Sequence, residues 1–260
     1  MNEARIIGVV SGKGGVGKTS VTVNVGLALK ELGKEVTLVD TDFDASNLGV
    51  HLGQYDHPVK IHDVLGAEAE PEDAIFRHST GVKAVVASNE INRVEPDTEL
   101  LRYLLETAGQ ESDYVLVDCP PGIDTTVEEI IDACDELLIV TTPTKTAATN
   151  AAQIIEKAKR MHVPVLGTVV NMSENDPGRE LVENEVQVMT ESDVVAEIPH
   201  DDKMKEALFH GTPLVHHEPL SEASLKMKEL AHSLEGLQYS KPSFAKFKRK
   251  LGNLKEAVSR

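Results

Sequence analysis

The stretch Gly12-Lys13-Gly14-Gly15-Val16-Gly17-Lys18-Thr19 fills every fixed position of the pattern G-x-x-x-x-G-K-[ST], in which a glycine-rich turn wraps phosphate oxygens. Upstream, Ile6-Ile7-Gly8-Val9-Val10 reads as a short buried strand; downstream, Val21, Val25, Ala28 and Leu32 recur at helical spacing. Strand, turn and helix in that order is what the chemistry needs. Glycines let successive backbone N–H groups converge on one point, and the positive end of the following helix dipole faces that same point. Lys18 is then placed to reach the β and γ phosphates, and the hydroxyl of Thr19 to ligate Mg²⁺; Ser20 completes the predicted nucleotide-touching run. A glycine-rich turn with no ligand is the competing reading.

Working outward, Gly33 stops the first helix and Glu35 to Asp40 reads as a second buried strand ending in acid, followed by Thr41-Asp42-Phe43-Asp44. Carboxylates at the carboxyl end of a strand lie on the ligand side of a parallel sheet. The same cluster could equally cap the short helical run near Asn47-Leu48-Gly49-Val50, and the residues alone leave both readings open. Residues 54–80 predict small helices or loops, Val82 to Ala87 a strand, and Leu100, Leu101, Leu104 and Leu105 a helix stripe. Tyr114-Val115-Leu116-Val117-Asp118 is a third strand ending in Asp, which beside a phosphate loop suits a carboxylate that holds Mg²⁺ directly or through water. Three further strand–helix units begin at Glu136, Val165 and Val194, and a last helix spans about Leu220 to Leu237. Strands alternating with helices of this length predict an α/β fold, with a mostly parallel central sheet covered by helices on both faces.

The 260 residues carry 43 acidic and 26 basic side chains, a net charge of −17. Residues 241–260 hold seven basic groups and one acid, so this tail stands at +6 against −23 for residues 1–240, which divides the chain into an enzyme-like body and a tail. The acidic body argues against nucleic acid as its partner. Two cysteines, Cys119 and Cys134, fit a reducing compartment; no stretch reaches the roughly 18 apolar residues of a spanning helix, and no signal peptide is recognisable, so a cytoplasmic protein is expected.

Lys13-Gly14-Gly15-Val16-Gly17-Lys18-Thr19 resembles the deviant Walker A motif of the MinD/ParA group of P-loop ATPases, which carries an extra lysine near the loop's start. Asp40-Thr41-Asp42 resembles that group's first switch and Asp118-Cys119-Pro120-Pro121-Gly122 its second, and the match runs in order from about residue 4 to 237. The resemblance implies an ATPase that binds ATP, ADP and Mg²⁺ along Gly12 to Ser20. Lys18 would hold the β and γ phosphates. Asp42 would orient the attacking water. Thr19, Asp40 and Asp118 would support the metal's shell. Lys13, by composition a plain surface lysine, would reach the partner's phosphates across an ATP-dependent homodimer. Asn171, with Pro199, His200 and Asp201, falls where the group places its adenine pocket, although Asn171 could as well be a loop-start residue. Iron–sulphur carriers within the group use a Cys-x-x-Cys pair that this chain lacks, and Cys119 and Cys134 read as small buried residues.

On a helical wheel Phe244, Phe247, Leu251, Leu254 and Val258 fall within an arc of about 80°, with Lys246, Arg249 and Lys250 away from it. A cationic amphipathic helix with aromatics on its apolar face is the pattern for lying on anionic lipid, where each basic group contributes roughly 1 kcal/mol. This is similar to the C-terminal targeting helix of the MinD branch and places the protein at the inner face of the cell membrane through residues 243–258. The alternative is that the stripe docks on the acidic body; Gly252 in mid-helix weakens the helix itself. The expectation is a cycling ATPase that positions the division site or other cargo, with an unidentified protein activator or cargo. A DNA-partition ATPase and a nucleotide-held adaptor with little turnover are the competitors.

Overall fold

The first strand of the computed structural model, which describes residues 3–43, 45–54, 57–88 and 98–241, is β1 (Arg5–Ser11), and it runs through the middle of the sheet. It feeds α1 (Lys18–Glu31); Gly33 then turns the chain at φ 86° into β2 (Val36–Asp40) and α2 (Leu48–Leu52). The polar stretch that follows forms α3 (Ile61–Leu65), α4 (Pro71–Ala74) and the antiparallel strand β3 (Phe76–Arg77) beside β4 (Lys83–Val85). Next come α5 (Thr98–Gly109), β5 (Tyr114–Pro121), α6 (Thr125–Asp132), β6 (Glu136–Thr141) and α7 (Lys145–Met161). The chain continues with β7 (Val165–Ser173), α8 (Glu183–Thr190), β8 (Val194–Pro199), α9 (Lys203–Phe209), α10 (Leu214–His217) and α11 (Glu222–Leu234).

The strand order is β3-β4-β2-β5-β1-β6-β7-β8, parallel throughout except for β3. Successive residues of a strand point to opposite faces, so β5 sends Val115 and Val117 into one core with α5, α6 and α7, and Tyr114 and Leu116 into another with α1 and α11. Burying both faces explains why these strands read as continuous apolar runs. Each fully buried Leu or Ile, such as Leu38 or Ile7, contributes about 1.5–3 kcal/mol through surface removed from water.

Helix ends follow local chemistry. The Thr144 hydroxyl accepts from Ala147 N at the start of α7, and Asp124 does the same for Val127 N in α6. Two boundaries differ from the spacing. The last helix starts at Glu222 because the Ser221 hydroxyl caps Ser224 N, and it ends before Gly236, whose φ is 66°. The strand expected to end at Asp118 runs on to Pro121 in β5, where Pro121 pairs with Ser11 beyond a register shift, and α8 begins at Glu183, where the Glu185 carboxylate accepts from Val182 N at 3.0 Å. A larger difference concerns α1. Its stripe of Val21, Val25 and Ala28 is buried as expected, but so are Val23, Asn24, Leu27 and Leu29, because α10 and α11 form a second layer over its outer side. The predicted tail lies outside the described residues, apart from Lys241, as does Asp44.

Candidate active site

The carboxyl ends of β1, β2 and β5 meet at one point, and the predicted site residues gather there. The loop leaving β1 is held from both sides: the Ser11 hydroxyl donates to Lys13 O at 2.9 Å, and Gly122 N donates to Ser11 O at 3.0 Å. Two glycines are required by close approach. A Cβ on Gly12 would lie 2.5 Å from the carbonyl oxygen of Asn150 in α7; one on Gly17, at φ 86°, would lie 2.3 Å from Asn171 Nδ2. Helix α1 opens with no side-chain cap and no acidic residue in its first turn, so its positive end has no counter-charge of its own. Lys18 is only 7% exposed and makes no ion pair among the described residues. A buried ammonium at an uncapped helix start is a receptor for an anion.

Asp40, which ends β2, and Asp118, three residues before the end of β5, stand side by side in the β2–β5 register, and both are buried. They are occupied very differently. Asp40 Oδ1 accepts from Asp42 N at 3.0 Å, while its Oδ2 accepts from the Ser46 hydroxyl at 2.7 Å and Leu48 N at 3.2 Å. Of the two readings of this cluster, the capping one is therefore realised in the contacts of Asp40. Asp118 Oδ1 takes a long bond from the Thr22 hydroxyl, 3.4 Å, and its Oδ2 is buried without a hydrogen bond among the described residues.

Burial raises the pKa of Asp40, and the charge of Asp118 adds to it; burial likewise raises Asp118, opposed by Lys18 and the Thr19 hydroxyl. A hard divalent cation would relieve both, and the orphaned Oδ2 beside Thr19 fits a place in the shell of Mg²⁺. Asp42 is buried, with its Oδ1 accepting from Ala45 N at 3.1 Å.

Lys13 is exposed at the rim of the loop. Asn171, at the end of β7, is drawn into the site: its Nδ2 donates to Val16 O at 2.8 Å, so the amide braces the loop's backbone. The other predicted adenine-pocket residues follow at the end of the neighbouring strand, where Pro199 pairs with Ser173 of β7. Pro199 faces a groove along β8, His200 is exposed with its N–H on Ser173 O, and Asp201 Oδ1 accepts from Lys203 N at the start of α9. Cys119 and Cys134 are buried and burial pushes both thiols up, so neither is a reactive thiolate. Among the described residues no cluster of His, Cys, Asp and Glu forms a protein-only metal site.

Several contributors were not visible in the sequence. Buried His51 receives the Ser20 hydroxyl on Nε2 at 3.0 Å, and its Nδ1 lies 2.9 Å from Asn47 O. Asn24 spans from Ser20 O, 2.8 Å, to Val215 N, 2.9 Å. Thr41 N and its hydroxyl both donate to Asp118 O at 3.0 Å. The only available signal was spacing, with His51 four residues after Asn47 and Asn24 four after Ser20.

A phosphate-binding turn, a buried lysine heading a helix and an underused carboxylate at the neighbouring strand end define a P-loop nucleoside triphosphatase. A family model described as ParA, NUBPL iron-transfer P-loop NTPase, matches residues 2–235. The chain is 31% identical over 233 residues to an uncharacterized ATP-binding protein of Methanocaldococcus jannaschii, covering 89% of this chain and 88% of the relative. It is 32% identical over 242 residues to the septum site-determining protein MinD of Synechocystis sp., covering 89% and 90%. The septum site-determining protein MinD of Pyrococcus horikoshii, solved with Mg-ADP, superposes with a TM-score of 0.84 at 29% identity, covering 89% of this chain and 96% of the other. The chain belongs to the MinD/ParA family of P-loop ATPases.

Proposed function

We propose that the protein couples ATP binding and hydrolysis to a reversible stay on the membrane, as a homodimer that places the division site or another cargo. The observation that carries the reading is Asp118 Oδ2, without a hydrogen bond among the described residues, beside the buried Lys18 at the start of α1, which makes no ion pair among them. A cation and an anion are both wanted there, and Mg-nucleotide brings both. The P. horikoshii relative was solved with that ligand.

Residues Gly12 to Ser20 bind the triphosphate through backbone amides and Lys18, which favours the charge that builds on the transferred group. Thr19 and Asp118, with Asp40 behind, would hold Mg²⁺, which would supply charge neutralisation at the phosphates. Asp42 orients the attacking water from the loop that Asp40 holds. Lys13 serves the partner's nucleotide, which suits its exposure at the loop's rim. Asn171 bears on the nucleotide through Val16 as well as through its own amide, and Pro199, His200 and Asp201 form the outer wall of the adenine side. Two basic tails acting together turn marginal lipid affinity into firm attachment, and hydrolysis separates them. No helix among the described residues is long and apolar enough to cross a membrane, so attachment falls to the tail.

The test is ATP turnover and co-sedimentation with anionic vesicles for the full chain, Lys18→Ala, and a chain lacking residues 241–260. Sedimentation that requires ATP, is lost in both variants, and leaves turnover intact in the truncated chain supports the reading. A Lys18→Ala protein that sediments with ATP as the parent does would refute it, and ATP-dependent retention on DNA instead would favour partition.

A further inference from the structure

Strand β8 is the outer edge of the sheet, and among the described residues no strand pairs with its far side. Along that edge, between α8 and α11, runs a groove of about 430 Å³. Its floor includes half-buried Val194, Val195 and Ala196, and its walls carry Glu183, Glu197, Glu222 and Glu229. One cation stands among them, Lys226, already 2.9 Å from Glu229. A long, partly apolar sheet edge is a surface that proteins ordinarily cover.

We infer that this groove is the resting site of the chain's own C-terminal segment, residues 243–258, when that segment is off the membrane. Three observations choose the occupant. Leu237 and Tyr239, the last residues before the tail, themselves line the groove, so the chain leaves the body at its mouth. The charges are complementary, four glutamates against a segment containing Lys246, Lys248, Arg249, Lys250 and Lys255. The lengths agree: six residues of strand span about 20 Å and sixteen residues of helix about 24 Å. Phe244, Phe247, Leu251 and Leu254 would then lie on the valines of β8, and the basic face between the glutamates. The same apolar stripe cannot serve lipid and groove together, so docking competes with membrane attachment. That consequence rests on the membrane reading above; the docking itself does not.

The experiment uses the full chain carrying Leu251→Cys, whose introduced thiol is labelled by a maleimide without nucleotide, the native thiols being buried. The rate is compared with that of Leu251→Cys in a background of Glu183→Lys, Glu222→Lys and Glu229→Lys, at low salt and at 0.5 M salt as about the level where surface charge is screened. Docking predicts slow labelling at low salt, rising about tenfold in the charge-reversed background and at high salt, the factor that about 1.4 kcal/mol of docking gives. Equal rates in both backgrounds at both salts overturn the inference. So does protection that grows with protein concentration, which would give the groove to a second chain. Vesicle sedimentation without nucleotide is read in parallel, with charge reversal expected to raise it at least threefold. If no form binds vesicles while the labelling pattern holds, the membrane reading fails and the docking stands.

Discussion

Replacing His51 tests whether a buried neutral imidazole ties α2 to the helix of the phosphate loop. Its Nδ1 lies 2.9 Å from the Asn47 carbonyl, which can only accept, so the ring's proton sits on Nδ1; Nε2 accepts from the Ser20 hydroxyl at 3.0 Å. His51→Leu removes both bonds and leaves a buried hydroxyl and a carbonyl to find other partners. At about 1 kcal/mol net for each bond, less what leucine's methyls return on burial, the loss is about 1–2 kcal/mol at pH 8. His51→Gln, whose carbonyl can still accept from Ser20, should cost about half of that. Burial lowers the pKa of His51 from the usual 6.5, the Asn47 carbonyl opposing it. The unfolded chain thus takes up a proton near pH 6.5 before the folded one does, and the stability His51 contributes is lost as pH falls through that range. The leucine variant has no such term, so its deficit against the parent should be full at pH 8 and shrink below about pH 6.5. Urea unfolding from pH 8 to 5.5, with unchanged slope, measures it. A deficit that stays constant or widens as pH falls refutes a neutral, bridging His51.

Three further outcomes follow from the same geometry. Gly17→Ala places a non-glycine residue at φ 86°, costing about 1–2 kcal/mol, and pushes a Cβ to 2.3 Å from Asn171 Nδ2; ADP affinity by calorimetry should fall at least tenfold, and Asn171→Ala in the same chain should restore part of the lost melting temperature. In metal-free protein the pKa of Asp40 is raised from 3.8 to about 7 and that of Asp118 to about 6, so their contribution to stability is full below about pH 4 and lost as pH rises through 6–7. Mg²⁺ alone, which prefers the ionised pair, should raise the melting temperature more at pH 8 than at pH 5.5, and Asp118→Asn should abolish the difference; an equal shift at both pH values would contradict it. Asn24→Ala leaves the buried N–H of Val215 and the carbonyl of Ser20 without their amide partner and should cost about 2–3 kcal/mol in urea unfolding.

What the sequence disclosed and what it concealed divide along a physical line. The phosphate loop, the strands that carry Asp40 and Asp118, and the alternation of strands and helices are set by neighbours within a few residues, so local pattern carries them, although β5 runs past Asp118 to Pro121. The all-round burial of α1 is not local: α11, some two hundred residues later, supplies the second layer. The polar braces are equally distant, with Asn171 155 residues from Val16 and Asn24 191 from Val215. A side chain that satisfies a remote backbone group leaves no period behind it, and Asn171 entered the reading through resemblance to a nucleotide contact rather than as the prop of a loop. For the Asp40 cluster two readings were open because a carboxylate that caps and one that waits for a metal look alike in sequence; only the saturation of Asp40 and the idle Oδ2 of Asp118 separate them.

That asymmetry bears on how the site could sense its nucleotide. The segment from Asp40 to His51 carries Asp42 and is pinned at both ends. At one end Asp40 gathers Asp42 N, the Ser46 hydroxyl and Leu48 N; at the other His51 grips Asn47 O and Ser20. Asp40 sits beside Asp118, where a metal would bind, and Ser20 follows Thr19, which would ligate it. A cation held by Thr19 and Asp118 would offset the charge of Asp118 and so favour the ionised form of Asp40, which would strengthen the three bonds that Asp40 accepts. The loop carrying Asp42 would thereby be held most firmly with the phosphates and their metal in place. The water-orienting role proposed for Asp42 would then be joined to nucleotide occupancy through a few buried polar contacts, and loosening either pin, by Ser46→Ala or by His51→Leu, should slow turnover more than it weakens nucleotide binding.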